Sequence, residues 1–156
     1  MRRIGIVLCL LIILSSAGGC TARRTQVEVC DGLTLSLPRD FEDLSNASYA
    51  KDADFLFGMD TLILMGLSEE KAALTDMTLA DYTQLVIQGN GLNCTPEKTD
   101  YGYVFSYEAP VKDTVYTYAV ATLQCGDHFW ILQFYCPSVE YPEHEKMIEE
   151  ILESVM

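Results

Sequence analysis

The feature that most restricts the fold of this chain lies between Tyr101 and Cys136. Three segments there, roughly 101–109, 114–125 and 128–136, read as antiparallel strands joined by turns at Pro110-Val111-Lys112-Asp113 and Gly126-Asp127. An even-length hairpin loop keeps residues of fixed parity on one face of the sheet. One face collects Ala119, Ala121, Leu123, Cys125, Trp130, Leu132, Phe134 and Cys136. The other collects Tyr103, Phe105, Tyr107, Tyr116, Tyr118, Val120, Phe129, Ile131 and Tyr135. Neither face is polar, so the sheet must be covered on both sides rather than left with one face in water.

Two amphipathic helices are the natural covers. Thr78-Leu79-Ala80-Asp81 reads as a capping box with Asp in place of the usual Glu or Gln. Leu79, Tyr82, Leu85 and Val86 follow at helical spacing, and Gly89-Asn90-Gly91 ends the helix. A second helix is entered at Pro142, with His144, Met147, Ile148, Ile151, Leu152 and Val155 on its apolar face. Glu143, Glu145, Glu149, Glu150 and Glu153 cover the opposite side, a solvated acidic face.

Earlier in the chain, Val27, Val29, Leu33, Leu35 and Leu37 alternate around Asp31-Gly32 and predict two strands and a tight turn. A three-residue loop, with Val29 opposite Leu35 and Val27 opposite Leu37, keeps the apolar faces together. Pro38 ends the second strand. The segments 54–58 and 61–67, split at Met59-Asp60, predict a buried hairpin. Ser68 reads as an N-cap with a short helical segment over 68–76, and a further strand is expected at 92–98. The fold class expected is α+β: an antiparallel meander with a mid-chain helix and a C-terminal amphipathic helix packed on the sheet.

The N-terminus carries an address. Arg2 and Arg3 precede an apolar run, Ile4 to Leu14, too short for the about 20 residues that span a bilayer. It is followed by small residues leading to Cys20. This reads as a signal peptide over 1–19, a lipidated tether over 20–25, and a single domain over 26–156. Ala17-Gly18-Gly19-Cys20 resembles the bacterial lipobox, with Ala17 where Leu is usual. That resemblance implies diacylglycerol on Cys20 and a bacterial protein held at the outer, extracytoplasmic face of the cell membrane. Two acyl chains, at about 0.8 kcal/mol per buried methylene, anchor stably.

Charge narrows the partners. The whole chain has 10 Lys+Arg against 23 Asp+Glu, a net −13. Loss of residues 1–19 removes Arg2 and Arg3 and no acid, so 8 basic residues face 23 acidic ones, a net −15. Such a body has no basic stripe for phosphates, which excludes a nucleic-acid partner. Anionic lipid repels it as well, so the tether is the lipid and not electrostatics. A protein or cell-envelope partner is expected.

Taken together, Leu33-Thr34-Leu35-Ser36-Leu37-Pro38-Arg39-Asp40-Phe41, the Asp54-Phe55-Leu56-Phe57-Gly58 strand, the mid-chain helix, the meander and the terminal helix resemble the PsbP-like and DcrB-like superfamily over nearly all of the mature chain. The resemblance implies a small extracytoplasmic, often lipid-anchored protein that is not an enzyme and assists membrane complexes or envelope processes. None of the metal ligands of its photosynthetic branch matches a position here, and no cofactor is implied.

Several side-chain groupings bring chemistry-bearing residues together in sequence. Cys125-Gly126-Asp127-His128 places thiol, carboxylate and imidazole together, which motivates an alternative reading as a thiol enzyme or envelope hydrolase using Cys125 and His128. The Gly126-Asp127 turn, however, puts Asp127 at an exposed tip and sends Cys125 toward the Ala/Leu/Trp face. Glu140, Glu143 and His144, or Asp52, Asp54 and Asp60, are metal groupings for a divalent-metal-dependent accessory factor; neither has zinc or calcium-loop spacing. Cys30, Cys94, Cys125 and Cys136 are either free, buried thiols or disulfide-bonded; Cys125 and Cys136 are far out of register, so any disulfide should link distant elements, with Cys30 and Cys94 a candidate pair. The candidate binding face is the aromatic one: Tyr103, Phe105, Tyr107, Tyr116, Tyr118, Phe129 and Tyr135, unless a helix covers it.

Overall fold

The computed structural model describes residues 24–155 other than 31, 48 and 49. The expected signal peptide and Cys20 therefore lie outside the described residues. A hairpin of β1 (Arg24–Cys30) and β2 (Leu33–Pro38) forms its own two-stranded sheet. The main sheet has seven antiparallel strands: β3 (Glu42–Asp43), β4 (Phe55–Met59), β5 (Leu62–Glu70), β6 (Glu97–Lys98), β7 (Gly102–Val111), β8 (Thr114–Cys125) and β9 (His128–Pro137). Their spatial order is β3-β4-β5-β9-β8-β7-β6. A mid-chain helix α1 (Leu79–Gly89) and a C-terminal helix α2 (Tyr141–Leu152) complete an α+β fold.

Both faces of the sheet are covered, as the parity of its strands requires, and the covers are unequal. Trp130, Leu132, Phe134, Cys136, Ala121 and Leu123 lie beneath α2 and the β1–β2 hairpin. Ile148, Ile151 and Leu152 of α2 and Leu33, Leu35 and Leu37 of β2 close this layer. Ser36 N–H donates to Ser154 Oγ at 2.9 Å, tying the hairpin to the end of α2. On the opposite face α1 seats Ile87 on Phe105 and Val120, and Tyr82 stacks on Phe129 at 4.8 Å. Thus the hairpin, and not a second helix alone, completes the larger core.

Local signals held where side-chain chemistry fixed them. Thr78 and Asp81 form the reciprocal capping box, with Asp81 N–H donating to Thr78 Oγ1 and Thr78 N–H donating to Asp81. The hydrogen bonds from Thr78 hold the Asp81 carboxyl below its ordinary range. Gly91 takes the positive φ expected beyond the helix end. In the β8–β9 hairpin Cys125 pairs with His128 and Cys136 with Thr117, as the two-residue turn demands.

Other expectations are corrected. In the first hairpin Val27 pairs with Leu35 and Thr25 with Leu37, because a bulge between Glu28 and Cys30 absorbs one residue. That bulge lets a tight loop coexist with Val27 and Val29 both packed on the core. Strand β1 starts at Arg24, inside the expected tether. Ser68 is not an N-cap; β5 runs on to Glu70, with Ser68 opposite Trp130, and only a short 3-10 turn at Lys71–Ala73 follows. The 92–98 strand shrinks to Glu97–Lys98, whereas β7 continues through Pro110 to Val111. Leu85 is exposed and Thr83 is buried instead, so the inward face of α1 is rotated from the apolar pattern.

Candidate functional site

The aromatic face divides in two. Phe129 and Phe105 are 0% and 6% exposed, because α1 sits over them, so these two belong to the core and not to a binding surface. Lys71 Nζ lies 5.6 Å from the Phe129 ring centre and closes that end. Tyr103 pairs with Thr122, at the end of the sheet where α1 docks. Tyr107, Tyr116, Tyr118 and Tyr135 remain partly exposed, with Tyr107 packed against the edge of the Ile87, Phe105 and Val120 cluster.

Three of them form a row across adjacent strands. The register places Tyr107 beside Tyr118 and Tyr118 beside Tyr135. Their rings stack, with centroids 4.8 Å apart and planes at 5° for the first pair, 5.6 Å and 27° for the second. Both ring faces of Tyr118, and one each of Tyr107 and Tyr135, are thereby spent within the row. A sugar needs an open ring face; this row suits a protein surface better, where Tyr supplies rigid area with a polar tip. Burial, then the neighbouring Tyr118 and Cys94, push the Tyr107 hydroxyl up; burial, then Tyr116, do so for Tyr118. Both stay protonated at neutral pH. Exposed Val111, at the hairpin tip of β7, extends the apolar surface.

A second concave region was not anticipated. A groove of about 960 Å³ lies between α2, the β6–β7 edge and the segment before β6. Glu97, Asp100, Glu145, Glu149 and Glu153 line it. The three α2 glutamates recur at four-residue spacing, which the sequence shows plainly, but only packing reveals that one flank of this acidic helix borders a cleft. Tyr101 and Tyr141 share the groove; burial first, and then these carboxylates, push both hydroxyls up.

The remaining candidates separate. Cys125 and His128 are cross-strand partners, yet Cys125 packs on the core and His128 leans toward Trp130, with ring centres 6.4 Å apart. Asp127 is exposed, and its carbonyl accepts the Lys71 N–H. Among the described residues no three His, Cys, Asp or Glu side chains gather to hold a metal ion. Glu140 accepts a hydrogen bond from Thr61, and Asp54 accepts one from the Ser68 N–H. Cys94, Cys125 and Cys136 are free thiols. Cys94 packs beside Tyr107 on the α1 side, and the Cys30 side chain of the expected Cys30–Cys94 pair lies outside what the structure describes.

No family model and no curated protein sequence matches the chain. Solved structures do. Cyanobacterial PsbP (CyanoP) from Synechocystis sp. PCC 6803 is 16% identical, with a TM-score of 0.59 over 92% of this chain and 98% of its own. The Saccharomyces cerevisiae Ran-binding protein Mog1p is 11% identical, with a TM-score of 0.57 over 87% of this chain and 96% of its own. LpqN of Mycobacterium tuberculosis, involved in cell envelope biogenesis, is 12% identical, with a TM-score of 0.54 over 86% and 90%. At these identities the likeness speaks for architecture, and the architecture of this chain is the PsbP-like α+β fold.

Proposed function

We propose that this chain is a lipid-anchored, extracytoplasmic binding module of a bacterial envelope, acting on a protein partner through the tyrosine row and not by catalysis. The observation that carries the reading is the stacked row on this sheet face: Tyr107, Tyr118 and Tyr135 are pre-stacked and partly exposed, whereas α1 buries Phe105 and Phe129. Rigid, pre-ordered aromatics lose little side-chain entropy on association, which is what a docking surface needs. Nothing comparable supports a reaction centre at Cys125 and His128.

The lipobox-like Ala17-Gly18-Gly19-Cys20 supports the anchor. Three residues lie between Cys20 and Arg24, a reach over four Cα–Cα steps of at most about 14 Å. Arg24 is itself ion-paired to Glu150 of α2. A lipid on Cys20 therefore keeps the domain close to the bilayer, within reach of membrane proteins.

Site-specific photocross-linking in native membranes tests the reading. A photoreactive residue at position 118 should capture one discrete envelope protein, while the same residue at Lys146, on α2, should not. Cys20→Ala should abolish membrane retention of the chain and reduce capture at 118. Equal capture at both positions, or none at 118 with the chain still in the membrane, sinks the binding role of the row.

A further inference from the structure

Strand β7 has an unfinished edge. β6 pairs with it only at Tyr103 and Val104. Gly102 directs both its backbone groups to that side: its C=O accepts from Thr99 N–H, and its N–H donates to Thr99 Oγ1. Backbone groups of alternate residues in a strand face the same edge, so Ser106, Glu108 and Pro110 point outward as Gly102 does. Pro110 has no N–H to offer, which explains how it sits within the strand. Ser106 and Glu108 are exposed, and no described residue hydrogen-bonds their backbone on this side. The segment before β6 passes close by, contributing Cys94 and Thr95 to the groove wall, without joining the ladder.

The groove beside this edge, about 960 Å³, is at the upper end of the roughly 300–1,000 Å³ typical of ligand clefts. Its described lining has five carboxylates and no Lys, Arg or His. Arg24 of β1 and Lys146 of α2 both meet Glu150, which is not part of the lining, and Lys98 of β6 is not part of it either. A second copy of this chain would bring the same acidic surface and be repelled, so self-pairing at this edge is disfavoured. A cationic occupant is the complement of these walls.

We infer that the Ser106–Glu108 edge of β7 binds an extended, lysine- or arginine-rich polypeptide segment, which adds as a further strand and lays its cationic side chains in the acidic groove. Strand addition supplies the backbone bonds that Ser106 and Glu108 leave unmade. Side chains of the added strand alternate, so one set meets Glu97, Glu145, Glu149 and Glu153 while the other turns toward Cys94 and Tyr107. The favoured sequence therefore alternates basic with apolar residues. The site meets the tyrosine row only at Tyr107.

The test uses the full-length lipidated chain in detergent micelles and a blocked peptide, acetyl-Lys-Val-Lys-Val-Lys-Val-amide, followed by calorimetry and amide hydrogen exchange. Saturable binding is expected, with slowed exchange at the Ser106 and Glu108 amides. A peptide N-methylated on its ladder-facing amides keeps the charge and loses donors, and should bind at least about tenfold more weakly. The E149Q/E153Q variant, on an exposed helix flank where folding is not at stake, should weaken the parent peptide about fivefold; Tyr118→Ala should leave it unchanged. No binding at millimolar peptide overturns the inference. So does equal binding of the N-methylated peptide with Ser106 and Glu108 still exchanging freely, which would mark the groove as a general sink for polycations.

Discussion

Thr83 of α1 and Thr122 of β8 share a hydrogen bond of 2.6 Å with both side chains fully buried. The Thr83 hydroxyl also donates to the Leu79 carbonyl at 2.7 Å, and a hydroxyl has one proton to give, so Thr122 is the donor between the two. This bond fixes where α1 sits on the sheet, and hence which aromatic residues it covers and which it leaves to solvent.

Thr83→Val should destabilise the fold by about 1–3 kcal/mol, because it strands the Thr122 hydroxyl in an apolar layer. Thr122→Val should be milder, since Thr83 keeps its bond to Leu79. The double variant should lose less than the sum of the two, because neither hydroxyl is then left waiting. Urea denaturation of the three proteins measures the coupling.

Trp130 is the chain's only tryptophan, wholly buried, and its indole N–H has no hydrogen-bond partner among the described residues. Its emission should be blue-shifted and resistant to acrylamide in the native state. Trp130→Ala should cost about 3–5 kcal/mol through the cavity beside Phe55. Trp130→Phe should cost clearly less, since it fills part of that space and removes a buried donor that nothing satisfies. Chemical denaturation of both variants checks the order.

Glycine substitutions should split by position. A Cβ at Gly102 would stand 2.1 Å from the Thr122 carbonyl oxygen, a backbone atom that cannot swing away. Gly102→Ala should therefore disrupt the start of the β7–β8 ladder and lower the melting temperature by several degrees. Gly89, the last residue of α1, has nothing within 4 Å of such a Cβ and no positive φ. Gly89→Ala should stabilise by about 0.5–1 kcal/mol, since alanine loses less backbone freedom in a helix. Thermal unfolding reads both.

Alkaline pH should weaken the molecule through its tyrosines. Burial raises the Tyr107 and Tyr118 hydroxyls above their ordinary value of 10.0. A group whose folded value is raised contributes stability below its unfolded value, and that contribution is lost as pH rises through the folded one. Stability should therefore fall above pH 10. Absorbance at the tyrosinate band should show late ionisation, which Tyr118→Phe removes in part. Ordinary titration of all nine tyrosines would contradict the partial burial of the row.

What the sequence determined by itself was whatever nearest neighbours and parity decide. The two apolar faces of β8 and β9, the Thr78–Asp81 capping box, the Gly126–Asp127 turn and the two-residue register of Cys125 with His128 rest on local geometry of a few residues. The α+β class followed, because a sheet apolar on both sides must be covered twice. Tertiary structure alone decided how much each cover hides. The bulge before Cys30 turned the first hairpin into a lid over the Trp130 face, and the Thr83–Thr122 bond set α1 over Phe105 and Phe129 while sparing Tyr107, Tyr118 and Tyr135. Alternation cannot separate those two groups, since all five residues share one face. The acidic stripe Glu145, Glu149 and Glu153 is equally silent in sequence: the same spacing serves a flank open to water or one bordering a cleft. Only the unpaired edge of β7 beside it makes the difference, and such an edge exists because β6 stops after two residues.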